Sequence, residues 1–202
     1  MLSTSRSRVR ALAVVGMAGV VATIGAVTFQ ASAAEVAPKA PAAVGPDARA
    51  VSIPGIPTAI KPPPGSKPIG AFIVTSGTQN YTCTAAGTYN PSSVPEAQLI
   101  GTGGKIHHFA GPNWQSERDG SQVTGFKIAG VDKTGTIQEL LLGVKAHSGS
   151  GILDKADYIN RLYTSGGVVP AGSCTPDSVA KVPYKAVYVF WDAPVAPTPP
   201  AA

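Results

Sequence analysis

The chain has 202 residues, of which 44% are hydrophobic and 13% are charged, and its formal net charge is +5. Arg6, Arg8 and Arg10 supply three of the 16 basic residues, so the other 13 face 11 acidic residues and leave about +2. Nucleic-acid binding needs clustered positive charge. Because the remaining basic residues are scattered singly, we expect no nucleic-acid partner.

Residues 1–33 have the features of a secretory signal peptide. The three arginines precede an uncharged apolar run from Ala11 to Val27, and Ala31-Ser32-Ala33 provides an A-x-A cleavage site. The alternative is an uncleaved membrane anchor, because this run of 17 residues is at the short limit for a spanning helix. We expect cleavage, a secreted, extracellular product, and no stable membrane anchor afterwards.

Composition divides the rest of the chain into a linker, one domain and a tail. Residues 34–66 are rich in Ala and Pro, which favours an extended linker, although the stretch 51–56 is apolar enough to lie along a domain surface. Residues 194–202 form a similar Pro/Ala-rich tail. Between them, residues 67–193 are predicted to form a single domain that buries about two-thirds of its unfolded surface.

The domain is predicted to be all-β, a single antiparallel sandwich or barrel with long loops. Short β-branched and aromatic runs are separated by Gly, Pro, Asn and Asp, and no long helical periodicity is present. The candidate strands are 69–75, 78–84, 97–101, 105–110, 122–128, 138–146, 157–164 and 184–191.

The hydrophobic pattern is clearest in one of these segments and ambiguous in another. Alternation is clearest in 184–191, which predicts that Tyr184, Ala186, Tyr188 and Phe190 share one face. By contrast, residues 137–144 fit two turns of buried helix as well as a strand.

Cys83 and Cys174 are the only cysteines. In an oxidising compartment an even pair favours a disulfide, and two buried free thiols are the alternative. Closing a loop of 91 residues stabilises a fold by about 4–5 kcal/mol in the chain-entropy model. No zinc-type spacing or redox C-x-x-C motif is present, so we predict a structural bridge.

Signatures of cofactor and metal sites fail on inspection. Gly101 to Gly104 offer two glycines of a dinucleotide fingerprint, but Ile106 occupies the third position. The sequence contains no Walker loop, G-x-S-x-G elbow or H-E-x-x-H motif. Adjacent strand residues point to opposite faces, so His107 and His108 cannot serve one site. We therefore expect no cofactor and no metal.

A polar cluster is the main candidate site. His108 and Trp114 lie close together in the chain, and Asp119, the first residue of an Asp-Gly hairpin-turn signal, follows five residues after Trp114. A histidine and a carboxylate suit acid–base catalysis, and a Trp ring suits stacking on a sugar or another flat ligand. The alternative is a core histidine, a core tryptophan and a turn aspartate.

Arg161 is the second candidate, as a binding residue. If 157–164 is a strand, Arg161 shares a face with Ile159, and an arginine inside a sheet needs a partner to offset its desolvation. Asp119, Glu139 or Asp154 is a possible partner. An exposed edge strand is the alternative.

These motifs together resemble a catalogued family of exported proteins of unknown function, from fungi and soil bacteria. The resemblance is carried by QNYTC at 79–83, HFAGPNW at 108–114, DGS at 119–121, the segment 148–174 and VPYKAVYVFW at 182–191. It implies an exported β-rich domain of unestablished activity. The recurrent positions that it implies are His108, Trp114, Asp119, Arg161, Gly166, Gly167 and Cys174.

Some members of that family carry an automatic malate dehydrogenase label. This chain lacks the nucleotide fingerprint that the label requires, so we do not transfer it. Our first hypothesis is a secreted binding or surface-interaction module for carbohydrate or cell-wall material. The alternatives are an extracellular hydrolase- or isomerase-like enzyme that uses His108 and Asp119, and a purely structural domain.

Overall fold

A computed structural model describes residues 53–201, so the predicted signal peptide and the first part of the linker lie outside the described residues. The fold is a closed antiparallel barrel of eight strands, in which each strand pairs with the next and β8 pairs with β1. The strands are β1 (Lys67–Thr82), β2 (Val94–Gly101), β3 (Gly104–Phe109), β4 (Asn113–Ser116), β5 (Gln122–Lys133), β6 (Thr136–Ser148), β7 (Tyr158–Gly166) and β8 (Val179–Asp192).

The prediction of an all-β fold is confirmed, and the architecture is the barrel rather than the sandwich. A short 3-10 helix, Thr58–Ile60, precedes the first strand. Within residues 53–201, no helix has the length and apolar character needed to cross a membrane.

The strand prediction differs from the structure in two places, and the structure decides one alternative that the sequence left open. The predicted strands 69–75 and 78–84 are one strand, β1, with a bulge between Val74 and Ser76 that bends it without ending it. The segment 137–144 lies in β6, so the helix alternative is wrong. β4 was not predicted, because it has only four residues and begins directly after Pro112.

The barrel interior is filled by the inward faces of the strands. In β8 the alternation predicted from the sequence is confirmed, since Tyr184, Ala186, Tyr188 and Phe190 all lie in the interior core. Leu153 also belongs to this core, although it comes from the connection between β6 and β7. The core therefore includes a side chain that enters from one end of the barrel.

A second apolar cluster lies on the outside of the wall, where the segment before β1 covers it. Ile60 is fully buried there against Leu141, Leu162 and other side chains of that cluster. Asn160 fixes this contact, because its Nδ2 donates to the carbonyl oxygens of Ile60 at 2.8 Å and Leu140 at 3.0 Å. The segment before β1, from Ile53 to Ile60, thus packs against the outer face of the barrel wall.

Because the strands run up and down, their connections alternate between two ends. We call the end with the β1–β2, β3–β4, β5–β6 and β7–β8 connections the mouth end, and the opposite end the closed end. The disulfide Cys83–Cys174 joins the β1–β2 and β7–β8 connections at the mouth end, which confirms the predicted bridge. It ties two mouth-end loops that are far apart in the chain.

Candidate functional site

A cavity of about 570 Å³ opens at the mouth end of the barrel. Its rim comes from the β1–β2 and β3–β4 connections, and its deeper wall comes from inward-facing strand residues. The lining residues are Gln79, Pro91, Ser92, Ser93, Val94, Pro95, His108, Gly111, Pro112, Trp114, Phe126, Lys127, Gln138, Leu140, Leu142, Arg161 and Tyr188. Three of the four candidate site residues, His108, Trp114 and Arg161, are therefore brought together here.

His108, Trp114 and Tyr188 form the aromatic floor of the cavity. His108 of β3 pairs with Trp114 of β4, and their rings stack with centroids 4.2 Å apart and planes 4° apart. The Tyr188 ring lies 5.2 Å from the His108 ring and 5.7 Å from the Trp114 ring. A Cβ on Gly125 would lie 3.0 Å from Trp114, so the small residue there leaves room for the indole.

His108 has a defined tautomer and is neutral. Its Nδ1–H donates to the Asn113 carbonyl oxygen at 2.8 Å, which leaves Nε2 as an acceptor. Burial lowers the pKa of His108 to about 3, with smaller electrostatic contributions from Arg161 and His107, against the opposing effect of the Asn113 hydrogen bond. His108 therefore offers an acceptor, not a charged acid, at neutral pH.

Arg161 points into the barrel from β7. It pairs in register with Leu140 and Tyr188, and both of these side chains belong to the interior core. Its Nε donates to the Gln138 carbonyl oxygen at 3.1 Å, and its terminal nitrogens form no hydrogen bond with residues 53–201. Neither of the two ion pairs found among these residues includes Arg161.

The carboxylates considered as partners of Arg161 do not fill that role. Glu139 accepts from Lys133 Nζ at 3.0 Å and from the Tyr163 N–H at 2.8 Å. Asp119 lies in the β4–β5 connection at the closed end, and Asp154 forms no ion pair within the described chain. Among the described residues, the Arg161 guanidinium thus hydrogen-bonds to a backbone carbonyl oxygen alone.

Other polar groups of the cavity wall were missed in the sequence analysis. Gln79 is 2% exposed, and its Oε1 accepts from Ser93 Oγ. Its Nε2 lies near the Tyr184 hydroxyl but makes no well-formed hydrogen bond with a described residue. Lys127 Nζ donates to Gln138 Oε1 at 2.6 Å. The signal that would have found Gln79 is a polar residue in the inward register of a strand.

Asp119 is part of a different structure. Its Oδ1 accepts from Ser121 Oγ at 2.6 Å and from the Ser121 N–H at 3.1 Å, and its Oδ2 accepts from the Ile152 N–H at 3.2 Å. Partial desolvation raises the pKa of Asp119, but these hydrogen bonds outweigh that effect and lower it overall. Asp119 thus joins the β4–β5 hairpin to the β6–β7 connection, away from the cavity.

The other two histidines also lie outside the cavity. His107 is on the outer face beside Glu96, with 2.6 Å between Nε2 and Oε1, and His147 Nε2 hydrogen-bonds to the Ala156 carbonyl oxygen at 2.9 Å. Across residues 53–201, no group of three or more His, Cys, Asp or Glu side chains is placed to hold a metal ion.

Comparisons with known proteins give a family but no function. A family model described as "Protein of unknown function (DUF3455)" matches residues 90–192, which contain β2 to β8. The match includes His108, Trp114 and Arg161, whereas Gln79 on β1 lies outside it. No curated protein and no solved structure matched the chain.

Proposed function

Since the chain belongs to the DUF3455 family, whose description assigns no function, we propose from the site geometry that the protein is an exported module that binds a small organic ligand. The observation that carries this proposal is the mouth-end cavity of about 570 Å³, with its aromatic floor and the free polar groups of its wall. Ligand sites of soluble proteins commonly measure about 300–1,000 Å³ and combine an apolar lining with a few polar groups.

The closed barrel supports a small ligand rather than a polymer. A barrel of about eight strands has room inside for side chains or for one small ligand. Trp114 is 1% exposed, and the His108 ring covers one of its faces. The indole therefore does not present the open ring face on which a long carbohydrate would stack. A compact molecule inserted from the mouth end suits this shape better than a cell-wall chain.

The enzyme alternative lacks a comparable observation. It requires His108 and Asp119 to act on the same substrate, but the two residues are near opposite ends of β4. The Asp119 carboxylate is occupied by Ser121 and Ile152, and His108 is neutral. The site geometry therefore favours the binding function over catalysis by this pair.

A screen with matched variants tests the proposal. The exported protein would be examined by ligand-observed NMR against a library of small acids, amines and neutral compounds. Ser92→Trp adds a bulky ring at the exposed rim of the cavity, and Ser150→Trp makes the same change on an exposed loop at the closed end.

We expect ligands that bind the wild type and Ser150→Trp about equally, and bind Ser92→Trp at least about tenfold more weakly, which corresponds to about 1.4 kcal/mol. The proposed function would be contradicted if no library compound binds. It would also be contradicted if the compounds bind Ser92→Trp as tightly as the wild type.

A further inference from the structure

The free guanidinium of Arg161 specifies the chemistry of the ligand. We propose that the cavity binds an organic monoanion with an apolar body, whose carboxylate pairs with the Arg161 guanidinium. This inference rests on the proposed binding function and assigns a ligand class to the same site.

The first support is the placement of Arg161. Its register partners Leu140 and Tyr188 direct it inward, and within the described part of the chain only its Nε is hydrogen-bonded, to the Gln138 carbonyl oxygen. A buried or half-buried arginine is normally matched by an anion, because removing its charge from water is costly. Within residues 53–201, no carboxylate lies within ion-pair distance of it.

The second support is the charge of the whole lining. Two cations, Arg161 and Lys127, line the cavity, and none of the lining residues is an Asp or a Glu. The acidic residues nearest in the chain to Gln138 are already engaged: Asp132 accepts from Gln138 Nε2 at 2.6 Å, and Glu139 pairs with Lys133. The cavity lining therefore carries excess positive charge, which favours an anion.

The third support is the form of the available hydrogen-bonding groups. The Arg161 terminal nitrogens and Gln79 Nε2 are donors without partners among the described residues, and His108 Nε2 is an acceptor. A guanidinium presents a planar fork that matches the two oxygens of a carboxylate. The donors outnumber the acceptors, as a site for an oxyanion requires.

The apolar part of the lining defines the rest of the ligand. Phe126, Leu140 and Leu142 line the cavity together with the aromatic floor. One free guanidinium balances one negative charge, and Lys127 is exposed at the edge and already bound to Gln138. A monocarboxylic acid with an aromatic or aliphatic body therefore fits better than a phosphate ester or a dianion.

The test compares each acid with its uncharged amide of nearly the same shape. Calorimetric titrations would use 3-phenylpropionate, octanoate and benzoate, and the primary amide of each, with the exported wild-type protein, Arg161→Gln and Arg118→Gln. Arg118 is an exposed arginine at the closed end, so the same substitution there is a matched control.

We expect at least one acid to bind the wild type about tenfold or more tightly than its amide, since hydrogen bonds to charged groups exceed neutral ones in strength. Arg161→Gln should abolish this preference, and Arg118→Gln should retain it. If Arg161→Gln does not fold, Arg161→Lys replaces it in the test. Arg161→Lys keeps the positive charge but loses the planar pair of guanidinium donors, so the preference for the acid over its amide should fall severalfold.

Each result decides between the two proposals. Acids and amides that bind the wild type equally would overturn the anion inference and leave the binding function standing. The same holds if only neutral or cationic library compounds bind. A preference for acids that persists in Arg161→Gln and Arg161→Lys would also overturn the inference. If neither the acids nor any library compound binds, the binding function fails as well.

Discussion

The two ends of the barrel use polar side chains in opposite ways. At the closed end, the Asp119 carboxylate accepts three hydrogen bonds, from Ser121 and Ile152, and joins two connections. At the mouth end, the Arg161 guanidinium and Gln79 Nε2 have donors without a partner among residues 53–201. Both ends contain polar residues that the sequence singles out. The Asp119 carboxylate is satisfied by its neighbours, whereas the Arg161 terminal nitrogens have no hydrogen-bond partner among residues 53–201.

Under the proposed binding function, this difference separates residues that stabilise the fold from residues that contact a ligand. Satisfied hydrogen bonds and close packing contribute to stability, whereas an unmatched charge or a buried unpaired donor costs about 1–3 kcal/mol. Proteins accept such costs mainly at functional sites. Substitutions at the closed end should therefore reduce stability, and substitutions at Arg161 should reduce binding instead.

The largest difference between the two ends should appear in the loss of stability when a buried leucine is replaced by alanine. Leu153 of the closed end is 1% exposed in the interior core, and Leu153→Ala should lower the free energy of unfolding by about 3 kcal/mol. Leu140→Ala should cost less, because Leu140 already borders the cavity. Urea denaturation measures both, with exposed Ile73→Ala as the control. Equal losses at Leu153 and Leu140 would mean that the two ends are packed alike.

The next largest effect is a loss of stability in acid, which we expect from the buried histidine at the mouth end, His108. Because the pKa of His108 is about 3 in the folded state and near 6.5 when unfolded, the unfolded chain takes up the proton first. His108 therefore stabilises the fold above about pH 6.5, and this contribution declines as the pH falls toward 3. Between pH 7 and pH 5 the free energy of unfolding should fall by about 2 kcal/mol.

Denaturation at several pH values, with His108→Phe and His107→Gln, tests this assignment. His108→Phe keeps an aromatic ring beside Trp114 and removes the titration, so its stability should depend less on pH over this range. His107 is on the outer face, and His107→Gln should retain the acid loss. An unchanged pH profile in His108→Phe would contradict the buried, neutral histidine.

A smaller effect is expected at the Asp119 hairpin. Asp119→Ala removes the acceptor of the Ser121 and Ile152 hydrogen bonds and should cost about 1 kcal/mol at neutral pH. Because the pKa of Asp119 is lowered, its contribution is present above the ordinary aspartate pKa and is lost in stronger acid. Asp154→Ala, on an exposed residue with no ion pair among residues 53–201, should cost close to nothing.

Ligand binding by Asp119→Ala sharpens the comparison further. The variant should bind the mouth-end ligands with wild-type affinity, because Asp119 is outside the cavity. Loss of binding in a folded Asp119→Ala protein would show that the two ends are coupled, and would return the acid–base alternative to consideration.

The sequence predicted β8 most clearly, because exposed Lys185 lies between buried Tyr184 and Ala186 in the first part of the strand. Further along, the outer residues Val189 and Trp191 are apolar too and pack in the outer cluster. The segment 137–144 fitted a helix as well as a strand because Leu141 packs under Ile60 outside the barrel while Leu140 and Leu142 pack inside it. A strand that is buried on both faces shows no period of two.

The sequence predicted only part of the candidate site, because spacing along the chain indicates proximity only across a tight turn. His108 and Trp114 are neighbours across a tight turn, so their sequence spacing carries over to the structure. Asp119 is only five residues beyond Trp114, but a strand rises about 3.3 Å per residue, and this places it at the other end of β4. Arg161 enters the same cavity through barrel closure, which sequence spacing does not reveal.

The smallest expected change in stability is also the most informative. Arg161→Met replaces the unmatched cation with a flexible apolar side chain of similar length, at the loss of one hydrogen bond to the Gln138 carbonyl oxygen. The free energy of unfolding should change by less than about 1 kcal/mol or rise, because no ion pair within residues 53–201 is broken. Thermal and urea denaturation measure this, and Arg118→Met provides the surface control. If Arg161→Met lowered the free energy of unfolding by about 3 kcal/mol or more, Arg161 would be a stabilising residue of the fold. The polar residues at both ends of the barrel would then have the same role.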